Sequence, residues 1–258
     1  MSPAATSTVS PRNEAFFIAK VAEEAERWDD AIASMKTVVS ASRAHLSAEE
    51  RNLVSVAYKN KTGTLRNSWR ILDTLERRET AARPGTRGAA LIRQARTRVE
   101  RDLARACQDV LALISVQLLP AASPGEERVF YHKMQGDYYR YLYEIAAARE
   151  RERYAQLSLE AYKTAYKHAL GTLEAWHPTR LGLALNFAVY FRDVCASPVR
   201  ACHLAKHAFD EALAALVRLP DDASRDSVMI LQLLRDDLIL WSSEISQADA
   251  SGNGEAAA

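Results

Sequence analysis

The sequence predicts an all-α protein, an antiparallel bundle of eight or nine helices. Three observations carry that reading. Nine glycines and eight prolines in 258 residues are too few for the many turns of a β-rich fold and suit long helices with few connections. Apolar residues recur with a period near 3.6: Leu65, Trp69 and Leu72 form one stripe, Phe130, Met134, Tyr138, Tyr141 and Ile145 a second, and Ile230, Leu233, Leu240 and Trp241 a third. No segment of useful length alternates as a strand does. Short connections make successive helices antiparallel, and neither a clean repeat nor a tetratricopeptide signature is present.

The elements follow from their end signals. Residues 1–12 and 246–258 ("SQADASGNGEAAA" at the C-terminal end) are small, polar and unpatterned, and both read as disordered tails around a single domain over 13–245. Asn13 is placed to cap the first helix. Ser47-Ala48-Glu49-Glu50 reads as a capping box, with the Ser47 hydroxyl on the Glu50 amide and the Glu50 carboxylate reaching back. Ser123-Pro124-Gly125-Glu126 suggests a further start with proline at the first helical position, and Ser197-Pro198 another. "RPGTRG", from Arg83 to Gly88, is the clearest loop, and His177-Pro178 and Pro220-Asp221-Asp222 mark further breaks.

Composition narrows the function. The chain is 48% hydrophobic and 26% charged, with a net charge of +1. No global basic field points to nucleic acid, so any anion binding must come from local clustering. Cys107, Cys195 and Cys202 show no CxxC spacing and read as reduced thiols. The start "MSPAATSTVSPRN" lacks the apolar core of a signal peptide. The best apolar run, "VLALISVQLLP", is about half of a bilayer span. The expectation is a soluble cytoplasmic protein, with neither a membrane nor a nucleic acid among its partners.

One stretch stands out. "GDYYRYLYEIA" surrounds Arg140 with Tyr138, Tyr139, Tyr141 and Tyr143. The ordinary reading is a cation–π contact; the sharper one is a cation awaiting an anion. Lys59 and Arg66 stand seven residues apart, as do Lys133 and Arg140, which is about two helical turns and roughly 10 Å of rise on one face. Gly63 and Gly136 fall inside those intervals, and a mid-helix glycine, costing about 1 kcal/mol against alanine, suggests close approach of another backbone. A solvated face with ion pairs among Lys133, Asp137, Arg140 and Glu144 accounts for the charges equally well. Asn186, inside the apolar "RLGLALNFAVYF", needs partners: either a neighbouring helix or a peptide main chain, whose NH and C=O its amide matches.

Enzyme readings find little support. HExxH, P-loop and GxGxxG motifs are absent, and no nucleophile–base pair can be named. His203 and His207 stand four apart in "CHLAKH" beside Cys202, but with no further ligand apparent they read as an ordinary helix face. No metal and no cofactor is assigned.

"AEEAERWDDA", "ERNLVSVAYKN", "GDYYRYL", "RLGLALNFAV" and "DSVMILQLLRDDLILWSSE" together resemble the signature blocks of the 14-3-3 proteins, in family order, over residues 14–245. The resemblance implies nine antiparallel helices forming a concave groove, a homodimer or a heterodimer with a paralogue, and non-catalytic adaptor function on phosphoserine or phosphothreonine segments of client proteins. It implies that Lys59, Arg66, Arg140 and Tyr141 bind the phosphate. Two guanidinium forks, an ammonium and a phenol suit its near-double negative charge and three acceptor oxygens. By the same resemblance Lys133 is a groove lysine, Asn186 bonds the client main chain, and Leu185, Val189, Ile230, Leu233, Leu240 and Trp241 form an apolar wall. Asp193 stands where glutamate is usual and would orient the basic cluster. Arg27 and Asp30 match charges that cross the dimer interface to partners aligned with Asp102 and Arg98. Ala95 replaces an interfacial tyrosine. Ser68 matches a serine near that interface, where phosphorylation would weaken the dimer. Three departures each make the groove less positive: Asp237 for asparagine, Leu65 for arginine and Gln135 for lysine. The alternative they raise is a helical scaffold of the same fold that binds partners independently of phosphate.

Overall fold

The structure, a computed structural model, describes residues 10–43, 45–216 and 225–255, with side chains in the last helix described to residue 247. The described residues form nine helical rods and no strand. They divide into two compact units, Met1–Ala122 and Ser123–Ala258, where the sequence reading drew one domain over 13–245.

In the first unit, α1 (Pro11–Glu24) starts three residues earlier than a cap at Asn13 implies. Its cap is Ser10, whose Oγ accepts from the Asn13 amide at 3.3 Å, so Asn13 is in the first turn and is not the cap. Buried Ala15, Ala19 and Ala22 let α1 pack against α2 (Trp28–Ala41), which buries Ile32, Met35, Val38 and Val39. The expected capping box opens α3 (Ala48–Ala82), with Glu50 N to Ser47 Oγ at 3.2 Å and Ser47 N to Glu50 Oε2 at 2.8 Å. The Leu65, Trp69, Leu72 stripe is half-buried, and Trp69 Nε1 donates to Glu100 at 2.9 Å.

After the Arg83–Thr86 turn, Thr86 caps α4 (Arg87–Leu113). This rod continues through a π-helical turn, Ile114–Leu118, to Leu119–Ala121. Pro120 has no N–H, and its ring would clash with the carbonyl four residues back in a regular helix; the widened turn relieves both problems. By length and apolarity the end of this rod passes for a bilayer span. Here Val110, Leu111, Leu113, Ile114 and Leu118 are buried as core residues. Glu76, reached by Arg93 and Arg96 at 2.7 Å each, ties α3 to α4.

The second unit packs α5 (Glu126–Ile145), α6 (Ala148–Thr172), α7 (Pro178–Asp193), α8 (Pro198–Leu216) and α9 (Arg225–Glu255). Pro124 lies outside α5, whose N-cap is Gly125 at φ 100°, a left-handed conformation that glycine tolerates. The expected proline start holds at Pro198, and the break read at His177-Pro178 is likewise a helix start with proline at its first position. The Pro220-Asp221-Asp222 break lies outside the described residues. α9 runs on to Glu255, so residues 246–255 are helical where a disordered tail was expected. The core gathers Tyr162, Leu181, Leu183, Phe187, Tyr190, Phe191, Leu234 and Trp241.

Gly136 has a packing reason, though not the expected backbone: a Cβ there would sit 2.7 Å from the Tyr162 ring of α6. At Gly63 a Cβ would meet nothing within 4 Å, so no close approach explains that glycine.

Candidate functional site

Each unit carries part of the expected site. On α3 of the first unit, Lys59 is exposed and Arg66 half-buried, with Leu65 and Ser68 also half-buried. The expected interface charges stand at the start of α2 and on α4. Arg27 pairs with Asp30 inside the chain, Asp102 lies 3.6 Å from Arg105, and Arg98 is exposed. Arg27, Asp30, Leu65 and Asp102 line one open cleft of about 850 Å³ within this unit.

In the second unit the geometry is tighter. α5 brings Lys133, Asp137, Arg140 and Tyr141 onto neighbouring turns, and the Asp137 carboxylate is the hub. It accepts from Lys133 Nζ at 3.0 Å, Arg140 Nη2 at 3.3 Å, Tyr162 Oη of α6 at 2.5 Å and Asn186 Nδ2 of α7 at 2.8 Å. Arg140 also donates through Nε to the Tyr162 oxygen at 3.2 Å and lies 5.1 Å from the Tyr141 ring centroid. Both the ion-pair and the cation–π readings of the tyrosine-rich stretch are therefore present, with a third partner that neither includes.

Burial tends to neutralise the Asp137 carboxyl, but Lys133 and Arg140 outweigh it and hold the group below the usual carboxylate range. Burial likewise opposes the Arg140 charge, and the Tyr162 and Tyr141 phenols with Asp137 hold the guanidinium above its ordinary value. The Tyr162 phenol is pushed well up, by burial first, so it stays protonated and donates. Arg140 is only 9% exposed. The cluster thus sets two cations against one buried carboxylate. Tyr162 was missed by sequence reasoning, and Asp137 was seen only as an intrahelical ion-pair partner. The available signal was Gly136, whose missing side chain makes room for the Tyr162 ring.

The remaining expected groove residues sort differently. Asn186 takes its helix partner, Asp137, through its NH2 group. Leu185, Val189 and Ile230 are half-buried against the core, and Leu233 and Leu240 are exposed. Trp241 does not offer a wall surface: at 2% exposure it is a core residue. Asp193 is exposed and paired with Arg192 at 2.9 Å, so the carboxylate that orients the cluster is Asp137 instead. Asp237 is half-buried, and burial with nearby Asp193 and Asp236 pushes its carboxyl up against the opposing pull of Arg192. Gln135 Oε1 lies 3.0 Å from His132 Nδ1.

The 14-3-3 protein family model matches residues 18–242. The chain belongs to the 14-3-3 family. A 14-3-3 protein homolog of Candida albicans is 49% identical over 240 residues, covering 93% of this chain and 90% of its own. The checkpoint signal transducer rad24 of Schizosaccharomyces pombe is 47% identical over 252 residues, 97% of this chain and 93% of its own. The 14-3-3-like protein GF14 omicron of Arabidopsis thaliana is 47% identical over 243 residues, 94% and 96%. As a 14-3-3 protein, the chain is a regulatory adaptor that binds client proteins.

Proposed function

We propose that this 14-3-3 protein is a cytoplasmic, dimeric adaptor without catalytic activity that binds phosphoserine or phosphothreonine segments of its clients. Lys59, Arg66, Arg140 and Tyr141 are the groups that meet the phosphate oxygens. The observation that carries the proposal is the Asp137 hub. A buried guanidinium is costly unless it is paired, and here one carboxylate serves both Lys133 and Arg140. Tyr162 accepts from Arg140 and, with Asn186, fixes the Asp137 carboxylate, so an incoming dianion meets donors whose ordering cost is already met. Lys133, Leu185, Asn186, Val189, Ile230, Leu233, Asp237 and Leu240 contact the client chain. Arg27 pairs with Asp102, and Asp30 with Arg98, of a second copy or a paralogue.

Arg66→Ala and Arg140→Ala test the assignment. Each loses a bidentate partner, so each is expected to lose measurable phosphopeptide binding by fluorescence anisotropy while its circular dichroism remains that of the wild type. Wild-type affinity in either variant contradicts the site.

A second reading keeps the fold but binds partners without phosphate. It is favoured by Asp237, whose negative charge sits half-buried near Asp193 and Asp236. Equal affinity for a phosphorylated peptide and its unphosphorylated twin would select it.

A further inference from the structure

His203 and His207 lie one turn apart on α8, both exposed, and line one open cleft of about 510 Å³ with Tyr166, Phe191 and Arg200. Side chains four apart on a helix have Cβ atoms about 5–6 Å from each other, within the reach of two imidazoles on one metal ion at about 2 Å per bond. The structure adds what the spacing lacks. His207 Nδ1 lies 3.3 Å from Glu211 Oε2, and the largely buried Arg180 holds that same oxygen through Nη2 at 2.9 Å. Arg180 is itself anchored, its Nη1 donating to the Leu173 carbonyl at 3.0 Å. A carboxylate fixed at this distance is placed to accept from Nδ1–H, which would leave Nε2 of His207 to coordinate, the arrangement that orients metal-binding histidines.

We infer that His203 and His207, with Glu211 as a positioning residue, form a binding site for a divalent transition metal that prefers imidazole, such as zinc or copper. Among the described residues no group of three or more His, Cys, Asp or Glu side chains gathers into a metal cluster, so the two imidazoles are the protein ligands and solvent completes the shell. The neighbouring cations do not compete for the position. Arg200 is seated over the Phe191 ring, 4.1 Å from its centroid, and Lys206 pairs with Asp210 at 2.8 Å. Because the spacing exists only while α8 is helical, binding stabilises that helix in the native state.

The test is calorimetric titration of zinc and copper(II) into the full chain with its thiols reduced, at pH about 7.5, since metal coordination requires deprotonated ligands. The wild type is expected to take up one ion per chain and to unfold at a higher temperature with metal. H203A and H207A each weaken uptake at least about tenfold, as loss of half the protein ligands requires. E211Q weakens it roughly tenfold. H203A/H207A abolishes both uptake and the thermal shift, and C195S/C202S changes neither. No uptake by the wild type, equal uptake by H203A/H207A, or loss of uptake in C195S/C202S overturns the site; wild-type affinity in E211Q overturns the role of Glu211.

Discussion

Asp137 and Asp237 are two carboxylates in one unit with opposite surroundings. Asp137 has four donors and keeps its charge against burial. Asp237 has carboxylates for neighbours, and its carboxyl is pushed up by burial, Asp193 and Asp236. An acid raised in the folded state contributes stability only below its unfolded value of about 3.9 and loses it as pH rises. At neutral pH the Asp237 charge therefore weighs against the fold and, under the proposed function, against a client phosphate. Asp237→Asn removes the charge and restores a donor. It is expected to raise the melting temperature at neutral pH and to tighten a generic phosphoserine peptide about tenfold if 1.4 kcal/mol is recovered. Calorimetry and anisotropy on the same preparation check both; no gain in either shows that Asp237 is no handicap. Lys59 and Arg140 were legible in sequence because the resemblance blocks contain them, and Arg66 and Lys133 because each stands seven residues from one of them. Tyr162 was not, because a tyrosine in "EAYKTAYKHA" gives no sign of the helix it faces.

At the scale of elements, α5 and α6 meet at Gly136 and at a histidine pair, besides the Tyr162 bonds. Alanine at 136 would place its Cβ 2.7 Å from the Tyr162 ring. That ring is buried and cannot swing aside, so overpacking of about 1–3 kcal/mol outweighs the roughly 1 kcal/mol that alanine gains in helix propensity. Gly136→Ala is expected to lower stability in urea and to weaken phosphopeptide binding through a displaced Tyr162. Gly63→Ala, with nothing within 4 Å, is expected to be neutral or stabilising. A Gly136→Ala variant as stable as the wild type contradicts the packing account.

His132 of α5 stacks on His168 of α6 at 6.0 Å between centroids. Burial, His168 and Arg128 push its pKa down, and the bond to Gln135 opposes them less. A histidine lowered in the folded state stabilises it fully above the unfolded value of about 6.5, and that contribution is lost as pH falls through the folded value. Urea midpoints at pH about 7.5 and about 5.5 are expected to differ more for the wild type than for His132→Leu. Equal differences would remove His132 from the acid response. Helix existence and most boundaries were legible from periodicity and caps such as Ser47. The run of α9 to Glu255 was not, because "SQADASGNGE" carries no apolar period to announce a helix.

At the scale of the whole chain, the net charge of +1 supplies no steering field. Attraction for a client must come from local groups, and the function proposed above makes a phosphate the feature they read. Under the proposed function, Lys59, Arg66, Arg140 and Tyr141 are suited to negatively charged oxygens. The most direct measurement is the titration of the wild-type chain with a fluorescent phosphoserine peptide and its unphosphorylated twin, read by anisotropy at equal salt. The phosphorylated peptide is expected to bind at least about a hundredfold more tightly, the equivalent of roughly 2.7 kcal/mol from charge-assisted bonds. Equal affinities would contradict phosphate recognition and leave a scaffold that reads its clients by other means.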